Sequence, residues 1–181
     1  TSLKKGFLKF LFVISYLLLV SFVFVYPYFA TRSYYGLKNY LGIYGLNYLK
    51  DQYPDDYQAV LWLNKNVAGQ PVITEAVGES YTDFARVSAN TGLPTILGWR
   101  VHEWLWRGSF DQPGAKTEEV RKIYESADLA ETQELLNKYQ VRYLFLGTLE
   151  TRTYPQINEE KFLKLGKVIF RQGQTKIYQI D

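Results

Sequence analysis

Charged and aromatic side chains concentrate between residues 75 and 108 of this 181-residue chain. Its carboxylates, guanidinium groups and single imidazole belong to Glu75, Glu79, Asp83, Arg86, Arg100, His102, Glu103 and Arg107. Interleaved with them are Tyr81, Trp99, Trp104 and Trp106. Aromatic rings stack on the apolar faces of sugars, while guanidinium groups and carboxylates bind phosphates, hydroxyls or a divalent ion. The segment therefore predicts a site for a sugar ring or a phosphorylated headgroup.

The predicted substrate-binding residues are Glu75, Glu79, Tyr81, Arg86, Trp99, His102, Glu103, Trp104 and Arg107. In this interpretation the arginines hold a phosphate or carboxylate, and the tryptophans, with Trp106, stack on sugar or abut lipid. The pattern identifies no catalytic residue and predicts no metal site.

Structural interpretations of the same residues stay open. Glu75 and Asp83 would suit an acid and base pair, but carboxylates at this density more often pair with Arg86 or Arg107 to hold loops. His102 belongs to no metal-binding motif, and a lone histidine more often has a structural role. The tryptophans would equally well pack in a core or face a membrane.

Hydrophobic periodicity predicts the elements that position these residues. Strands are expected at 71–77, 94–99 and 141–147, a closing hairpin around Gly173-Gln174, and helices near 54–68, 81–90, 101–106, 117–125, 131–139 and 156–165. Strands that alternate with helices favour a parallel sheet. Because ligands bind outside the carboxyl ends of such strands, Glu75–Ser80 and Gly98–His102 are expected to converge on one crevice, facing the bilayer.

Residues 10–30 form an apolar run without a charged side chain. As a helix this run is about 31 Å long, which matches the roughly 30 Å hydrocarbon layer of a bilayer. A buried core helix seldom runs this long, and a secretory signal peptide usually has a shorter apolar stretch and a small residue where Tyr28 stands. The run predicts a transmembrane helix, which Pro27 would end or kink near one interface.

The flanks of the span predict its orientation. Three lysines precede the span, and lysines resist translocation, whereas aromatic residues that prefer the interface lie at its far end. The chain is therefore expected in the cell membrane, with its main domain on the extracytoplasmic side. The predicted divisions are a cytoplasmic basic flank (1–9), the transmembrane helix (10–30), a Tyr/Gly-rich linker (31–53) and an extracytoplasmic α/β domain (54–181).

Composition excludes several classes. The chain has no cysteine, which removes thiolate catalysis, disulfides and cysteine-bound zinc. It is 47% hydrophobic and 17% aromatic, which excludes a disordered or collagen-like chain. The lysines before residue 10 account for the whole net charge of +3 and leave 18 basic and 18 acidic residues, so no nucleic-acid partner is predicted. Because methionine is also absent, we expect a piece of a longer protein.

The most distinctive pieces of sequence are E-A-V-G-E-S-Y (75–81), T-G-L-P-T-I-L-G-W (91–99) and H-E-W-L-W-R-G (102–108). Through them the chain resembles the C-terminal part of the Chlor_Arch_YYY family of very hydrophobic membrane proteins, over the span and residues 53–181. Such proteins are similar to C-type glycosyltransferases, which take sugars from polyprenyl-phosphate donors and carry a soluble outer domain after the last span. In those transferases the essential acidic residue lies in an early external loop. The resemblance thus implies that this chain contributes acceptor or headgroup contacts rather than the catalytic base.

The predicted fold is a single N-terminal transmembrane helix followed by a three-layer-like α/β domain with a mostly parallel sheet and a C-terminal β-hairpin. The first predicted function is the extracytoplasmic domain of a glycosyltransferase-like integral membrane protein. The alternatives are a non-catalytic single-span subunit whose outer domain docks on a larger membrane complex, and an anchored lectin-like binder. Expected partners are the lipid bilayer, a lipid-linked sugar and other membrane subunits. No cofactor is predicted, and a divalent metal in the full-length protein stays open.

Overall fold

A computed structural model describes residues 2–35 and 42–181 of the chain. The chain divides into two compact units, Thr1–Gly45 and Leu46–Asp181. The first unit contains one long helix, and the second contains the sheet and all predicted site residues.

The helix of the first unit, α1, runs over Ser2–Tyr35. An 18-residue window within its stretch Lys4–Tyr34 has a mean hydropathy of 2.5, and the stretch is long and apolar enough to cross a membrane. Pro27 lies inside the helix, so the expectation that it ends the helix is wrong. Proline is tolerated inside apolar helices, where local adjustments satisfy the freed carbonyl. Near the helix end, the Arg32 guanidinium donates a hydrogen bond to the Tyr28 hydroxyl at 2.7 Å.

The helices of the second unit are α2 (Asn47–Gln52), α3 (Pro54–Asn66), α4 (Arg86–Thr91), α5 (Arg100–Arg107), α6 (Asp111–Glu125), α7 (Leu129–Lys138), α8 (Thr148–Thr153) and α9 (Glu159–Leu165). Its strands are β1 (Val72–Thr74), β2 (Val141–Leu146), β3 (Gly166–Gln172) and β4 (Thr175–Ile180). Local signals explain several boundaries. Pro54 and two acidic residues occupy the first turn of α3, and the Asp128 side chain accepts hydrogen bonds from two backbone amides at the start of α7.

The four strands form a mixed sheet in the order β1-β2-β4-β3. β1 is parallel to β2, but β4 is antiparallel to both β2 and β3. The expected α/β class with a C-terminal hairpin is confirmed, whereas the expectation of a mostly parallel sheet is wrong. The physical reason is that both hairpin strands join the sheet and β4 pairs with the distant strand β2 in the antiparallel direction. The predicted strand 94–99 adds only one parallel bridge, between Thr95 and Ile73.

Both faces of the sheet are covered, which gives the domain three layers. Ile177 and Tyr178 are adjacent in β4 and therefore point to opposite faces, yet both are buried. On one face the Tyr178 ring contacts Phe162 of α9, with ring centroids 5.5 Å apart. On the other face Phe170, the β3 partner of Ile177, contacts Trp62 of α3 at 5.8 Å.

Three helical segments differ from the periodicity prediction. The helix expected at 81–90 begins only at Arg86, because Tyr81 and Ala85 have φ angles of 60° and 61°, outside the right-handed helical region. α2 lies within the predicted linker, and α8 follows β2 where no helix is predicted. Both are six-residue helices, too short to show a clear period of 3.6.

Lys161 of α9 is buried against the C-terminal end of α6. Its ammonium group donates to the backbone carbonyl of Ser126 at 2.7 Å and lies 3.5 Å from that of Lys122. A cation at this end of a helix complements the helix dipole. Burial nevertheless lowers the pKa of Lys161 to about 8, although the nearby charges of Glu131 and Glu125 oppose the shift.

The lowered pKa of Lys161 predicts a stability that rises with pH. Between its folded value of about 8 and its unfolded value of 10.5, the unfolded chain binds more protons than the native chain. Relative to the Lys161→Met variant, the wild-type full chain in detergent micelles should gain about 2 kcal/mol of unfolding free energy from about pH 7 to about pH 9.5. Denaturant unfolding measures this difference, in which the other titrating groups cancel. A difference that does not change with pH would show that the helix carbonyls keep Lys161 charged.

Candidate functional site

Arg86 lies at the centre of a buried ionic network. Its guanidinium donates through Nε and Nη2 to Oδ2 of Asp56, at 2.9 and 2.7 Å. It also donates to the two carboxylate oxygens of Glu150, at 3.3 and 2.8 Å. The side chains of all three residues are fully buried. Burial alone would lower the pKa of Arg86, but the charges of Glu150 and Asp56 raise it above its ordinary value.

The oxygens of the two carboxylates also accept hydrogen bonds from backbone amides and from one hydroxyl. Glu150 accepts hydrogen bonds from the amides of Ala76 and Gly147, at 2.8 and 2.9 Å. Asp56 accepts from the Thr175 hydroxyl at 2.6 Å. Each buried charge is therefore paired and hydrogen-bonded, as burial requires. The network joins α3, α4, α8 and β4.

Glu75 closes the N-terminal end of α4. Ala85, which precedes this helix, has no side-chain group that could cap it. The Glu75 carboxylate instead accepts hydrogen bonds from the Val87 and Ser88 amides, both at 2.8 Å. Burial raises the pKa of Glu75, and the hydrogen bonds from Ser88 and the charge of Arg86 oppose the rise. A carboxylate at this position satisfies helix amides that would otherwise lack partners.

These contacts change the interpretation of two predicted site residues. Glu75 and Arg86 are each about 1% exposed, so the expectation that they line an open crevice is wrong for this structure. The ion-pair alternative describes Arg86, and Glu75 is a helix cap. Sequence reasoning missed Asp56 and Glu150. The position of Glu150, three residues after Gly147 at the start of α8, is the spacing of a helix-capping glutamate and was an available signal.

Tyr81, Trp99 and His102 form a cluster of rings at the surface. The ring centroids of Tyr81 lie 5.3 Å from Trp99 and 4.8 Å from His102, and those of Trp99 and His102 are 5.2 Å apart. Tyr81 is 80% exposed. Mutual edge and tilted contacts of this kind hold aromatic faces in fixed directions. These three residues, with Glu79 and Arg100, are here called the surface cluster.

Polar groups border the rings of the surface cluster. The Arg100 guanidinium forms an ion pair with the Glu79 carboxylate, and both side chains are partly exposed. The Ser80 hydroxyl is buried and has no hydrogen-bond partner within the described part of the chain. A guanidinium and a carboxylate beside aromatic rings can bind phosphate oxygens and sugar hydroxyls.

The segment that carries Glu79 and Tyr81 is attached to the domain at several points. The Val77 amide donates to the Tyr154 hydroxyl at 3.2 Å, and the Tyr53 hydroxyl donates to Asp83 at 2.8 Å. The Trp99 indole N–H donates to the Phe84 carbonyl at 2.8 Å, which links the segment to the start of α5. The structure thus brings Glu79, Tyr81, Trp99 and His102 together beyond the carboxyl end of β1.

Tyr81 also has an unusual backbone. Its φ of 60° is left-handed, which costs a bulky non-glycine residue about 1–3 kcal/mol. Such residues persist where surrounding contacts hold them, and they concentrate at binding sites. The strain and the exposed ring occur at the same residue, which marks Tyr81 as the central residue of the surface cluster.

The other predicted residues lie along α5. Glu103 accepts from the Gly98 amide at 3.4 Å and pairs with Arg107 at 3.3 Å. The Trp104 ring contacts Phe110 edge to face, with centroids 5.9 Å apart. These contacts differ from those of the surface cluster, so the predicted residues do not form a single crevice.

Residues 2–35 and 42–181 contain no cluster of side chains that could bind a metal ion. No group of three or more histidine or carboxylate side chains is placed there to hold an ion. A separate cleft of about 460 Å³ opens beyond the carboxyl end of β2, between Tyr154, Glu159, Arg171 and Lys176, and none of the predicted site residues lines it.

Comparison with known proteins gives little further information. No protein-family model matches the sequence, and no curated protein matches it. The resemblance to the Chlor_Arch_YYY family therefore stays a prediction. Among solved structures, the chain is similar to the C-terminal globular domain of an oligosaccharyltransferase from Archaeoglobus fulgidus, with a TM-score of 0.44 and 10% identity. That similarity covers 68% of this chain and 95% of the other, and it is too low to carry any property across.

Proposed function

We propose that this chain is the outer domain and a membrane helix of a glycosyltransferase-like membrane protein, and that the surface cluster contacts a lipid-linked sugar phosphate. The chain supplies binding contacts, and the catalytic base belongs to another part of the protein. Two properties of the molecule support the proposal: α1 has the length and composition of a membrane span, and the surface cluster combines aromatic faces with an ion pair.

The exposed and strained Tyr81, in contact with Trp99 and His102, is the observation on which the proposal rests. A solvent-facing tyrosine gains little stability from its position and has an unfavourable backbone conformation there. Binding of a sugar face would explain the arrangement, because an apolar sugar surface stacks on an aromatic ring. Arg100, beside the rings, would attract the phosphate, for which a guanidinium group is well suited.

The Tyr81→Gly variant tests this role. Glycine adopts a φ of 60° without strain, so the unfolding free energy of the domain should stay equal or rise by about 1 kcal/mol. Binding of a short polyprenyl phosphate carrying one hexose should weaken about threefold to tenfold, because a stacking partner is lost. Both quantities are measured on the full chain in lipid nanodiscs, by denaturant unfolding and by titration of tryptophan fluorescence.

Two comparisons make the test specific. Arg100→Gln should weaken binding of the phosphorylated probe and leave binding of the free methyl hexoside unchanged. Tyr44→Gly, at an exposed tyrosine outside the surface cluster, should leave binding unchanged. Equal binding of the sugar phosphate by wild-type chain and Tyr81→Gly would contradict the proposal. A large loss of stability in Tyr81→Gly would assign the ring a structural role instead.

A further inference from the structure

The second half of the helix α5 has large apolar side chains in solvent. With 3.6 residues per turn, Arg100, Glu103, Trp104 and Arg107 lie on one side of the helix, and Leu105 and Trp106 lie away from it. On the first side, Lys116 of α6 lies 3.9 Å from Glu103. The Glu103 side chain is only 26% exposed, whereas Leu105 is 67% and Trp106 is 89% exposed.

A surface helix of a globular domain usually turns its apolar residues toward the core, whereas α5 leaves Leu105 and Trp106 in solvent. None of the residues of α5 is buried, and Phe110, just beyond the helix, is also exposed. Trp104, Leu105, Trp106 and Phe110 are all exposed around the C-terminal end of α5, and we name them the apolar ridge. A concentration of exposed apolar side chains marks an interaction site.

The composition of the apolar ridge and its surroundings indicates a lipid partner. Tryptophan and tyrosine prefer the interface between headgroups and acyl chains, and arginine extends its charged end to the headgroups. The ridge contains two tryptophans, with Arg107 at the end of α5. Tyr81 contacts His102 of α5, so the surface cluster is continuous with this helix. Helices that carry such residues are found in the plane of membrane surfaces.

The covalent structure also limits where this surface can be. Ten residues, Gly36–Gly45, connect α1 to the unit that begins at Leu46. Fully extended, they span at most about 35 Å. If α1 crosses a bilayer, contacts between the domain and the lipid are intramolecular, and weak apolar contacts become effective.

We propose that the apolar ridge inserts into the interfacial layer of the bilayer and so brings the surface cluster to the depth of lipid headgroups. This inference rests on the proposed membrane anchoring of the chain, and it specifies that the sugar phosphate bound by the surface cluster is presented from the lipid surface.

Quenching by brominated phosphatidylcholine tests the insertion. α1 contains no tryptophan, so tryptophan emission reports on the domain alone. In the full chain reconstituted in phosphatidylcholine vesicles, a variant that keeps only Trp106 should lose about half of its emission when the lipid is brominated in its acyl chains. The matched control keeps only Trp62, which packs on Phe170, and should lose about one-tenth or less. The other tryptophans are replaced by phenylalanine.

A second variant guards against misfolding of the multiply substituted chains. Trp106→Phe in the otherwise unchanged protein should remove the largest quenchable part of the emission, and its far-UV circular dichroism should match the wild type. Equal emission of Trp106 in brominated and ordinary lipid would overturn the inference. Blue-shifted but unquenched Trp106 emission would also overturn it, because a protein surface would then cover the ridge.

The experiments distinguish a wrong inference about membrane insertion from a wrong proposal about function. Flotation of vesicles after alkaline carbonate treatment reports on α1 alone. An anchored chain that binds the sugar phosphate but shows no quenching of Trp106 contradicts only the insertion. An anchored and quenched chain that does not bind the sugar phosphate contradicts only the proposed function of the surface cluster.

Discussion

Replacing Arg86 by methionine should destabilise the domain by about 3–5 kcal/mol, because two buried carboxylates lose the cation that pairs with both of them. This is a large part of the stability of a typical domain, about 5–15 kcal/mol. Denaturant unfolding of the full chain in detergent micelles measures the loss. The result would separate a structural arginine from a binding arginine, since ligand contacts contribute little to the stability of the free protein.

Arg107→Met is the matched control for Arg86→Met. Arg107 is half-exposed and pairs with Glu103 within the same helix, so its loss should cost less than about 0.5 kcal/mol. If Arg86→Met does not fold, the triple variant with Asp56→Asn and Glu150→Gln should recover part of the folded population, because it removes the two unpaired charges. Equal stabilities of Arg86→Met and Arg107→Met would show that the network contributes no more than a surface pair.

Replacing Gly147 by alanine should lower the unfolding free energy of the domain by about 3 kcal/mol, because the added methyl group would overlap side chains of the same network. A Cβ atom at Gly147 would lie 2.3 Å from Oδ1 of Asp56 and 2.6 Å from the ring of Phe145. The Asp56 carboxylate accepts a hydrogen bond from Thr175 and pairs with Arg86, so it cannot move away without loss of these contacts. Thermal unfolding of the full chain measures the loss as a lowered midpoint.

Gly98→Ala provides the comparison for Gly147→Ala. Within the described part of the chain, and apart from its two chain neighbours, no residue has an atom within 4 Å of a Cβ atom built at Gly98, and its φ is not left-handed. This variant should be neutral, or slightly stabilising through reduced freedom of the unfolded chain. A midpoint for Gly147→Ala equal to that of Gly98→Ala would mean that the network yields to the added methyl group.

Local signals explain which parts of the fold could be predicted. Pro54 at the start of α3, the Asp128 cap of α7 and the Gly173 turn each act within a few residues, and these elements were predicted close to their bounds. The position of β4 between β2 and β3 depends on pairing between distant segments. Periodicity contains no information on such pairing, so the mixed sheet was predicted as mostly parallel.

In the candidate site too, some features could be predicted from nearby residues, whereas others depend on residues distant in sequence. Tyr81 follows β1, and Trp99 and His102 follow the predicted strand at 94–99, so the rule for ligand sites in α/β sheets predicted that they lie near one another. Arg86 was assigned to the same surface because its partners lie 30 and 64 residues away in sequence. Residue type alone cannot distinguish an arginine that binds a ligand from one enclosed by two carboxylates.

The order of strands has a consequence for biosynthesis. β4 is synthesised after the other three strands, yet it lies between β2 and β3 and provides Thr175 to the Asp56 carboxylate. Until residues 175–180 have left the ribosome, β2 and β3 share no partner, and the ionic network lacks one of its hydrogen bonds. A nascent chain arrested before this point should remain open to proteases and to chaperones, and should close only when β4 arrives.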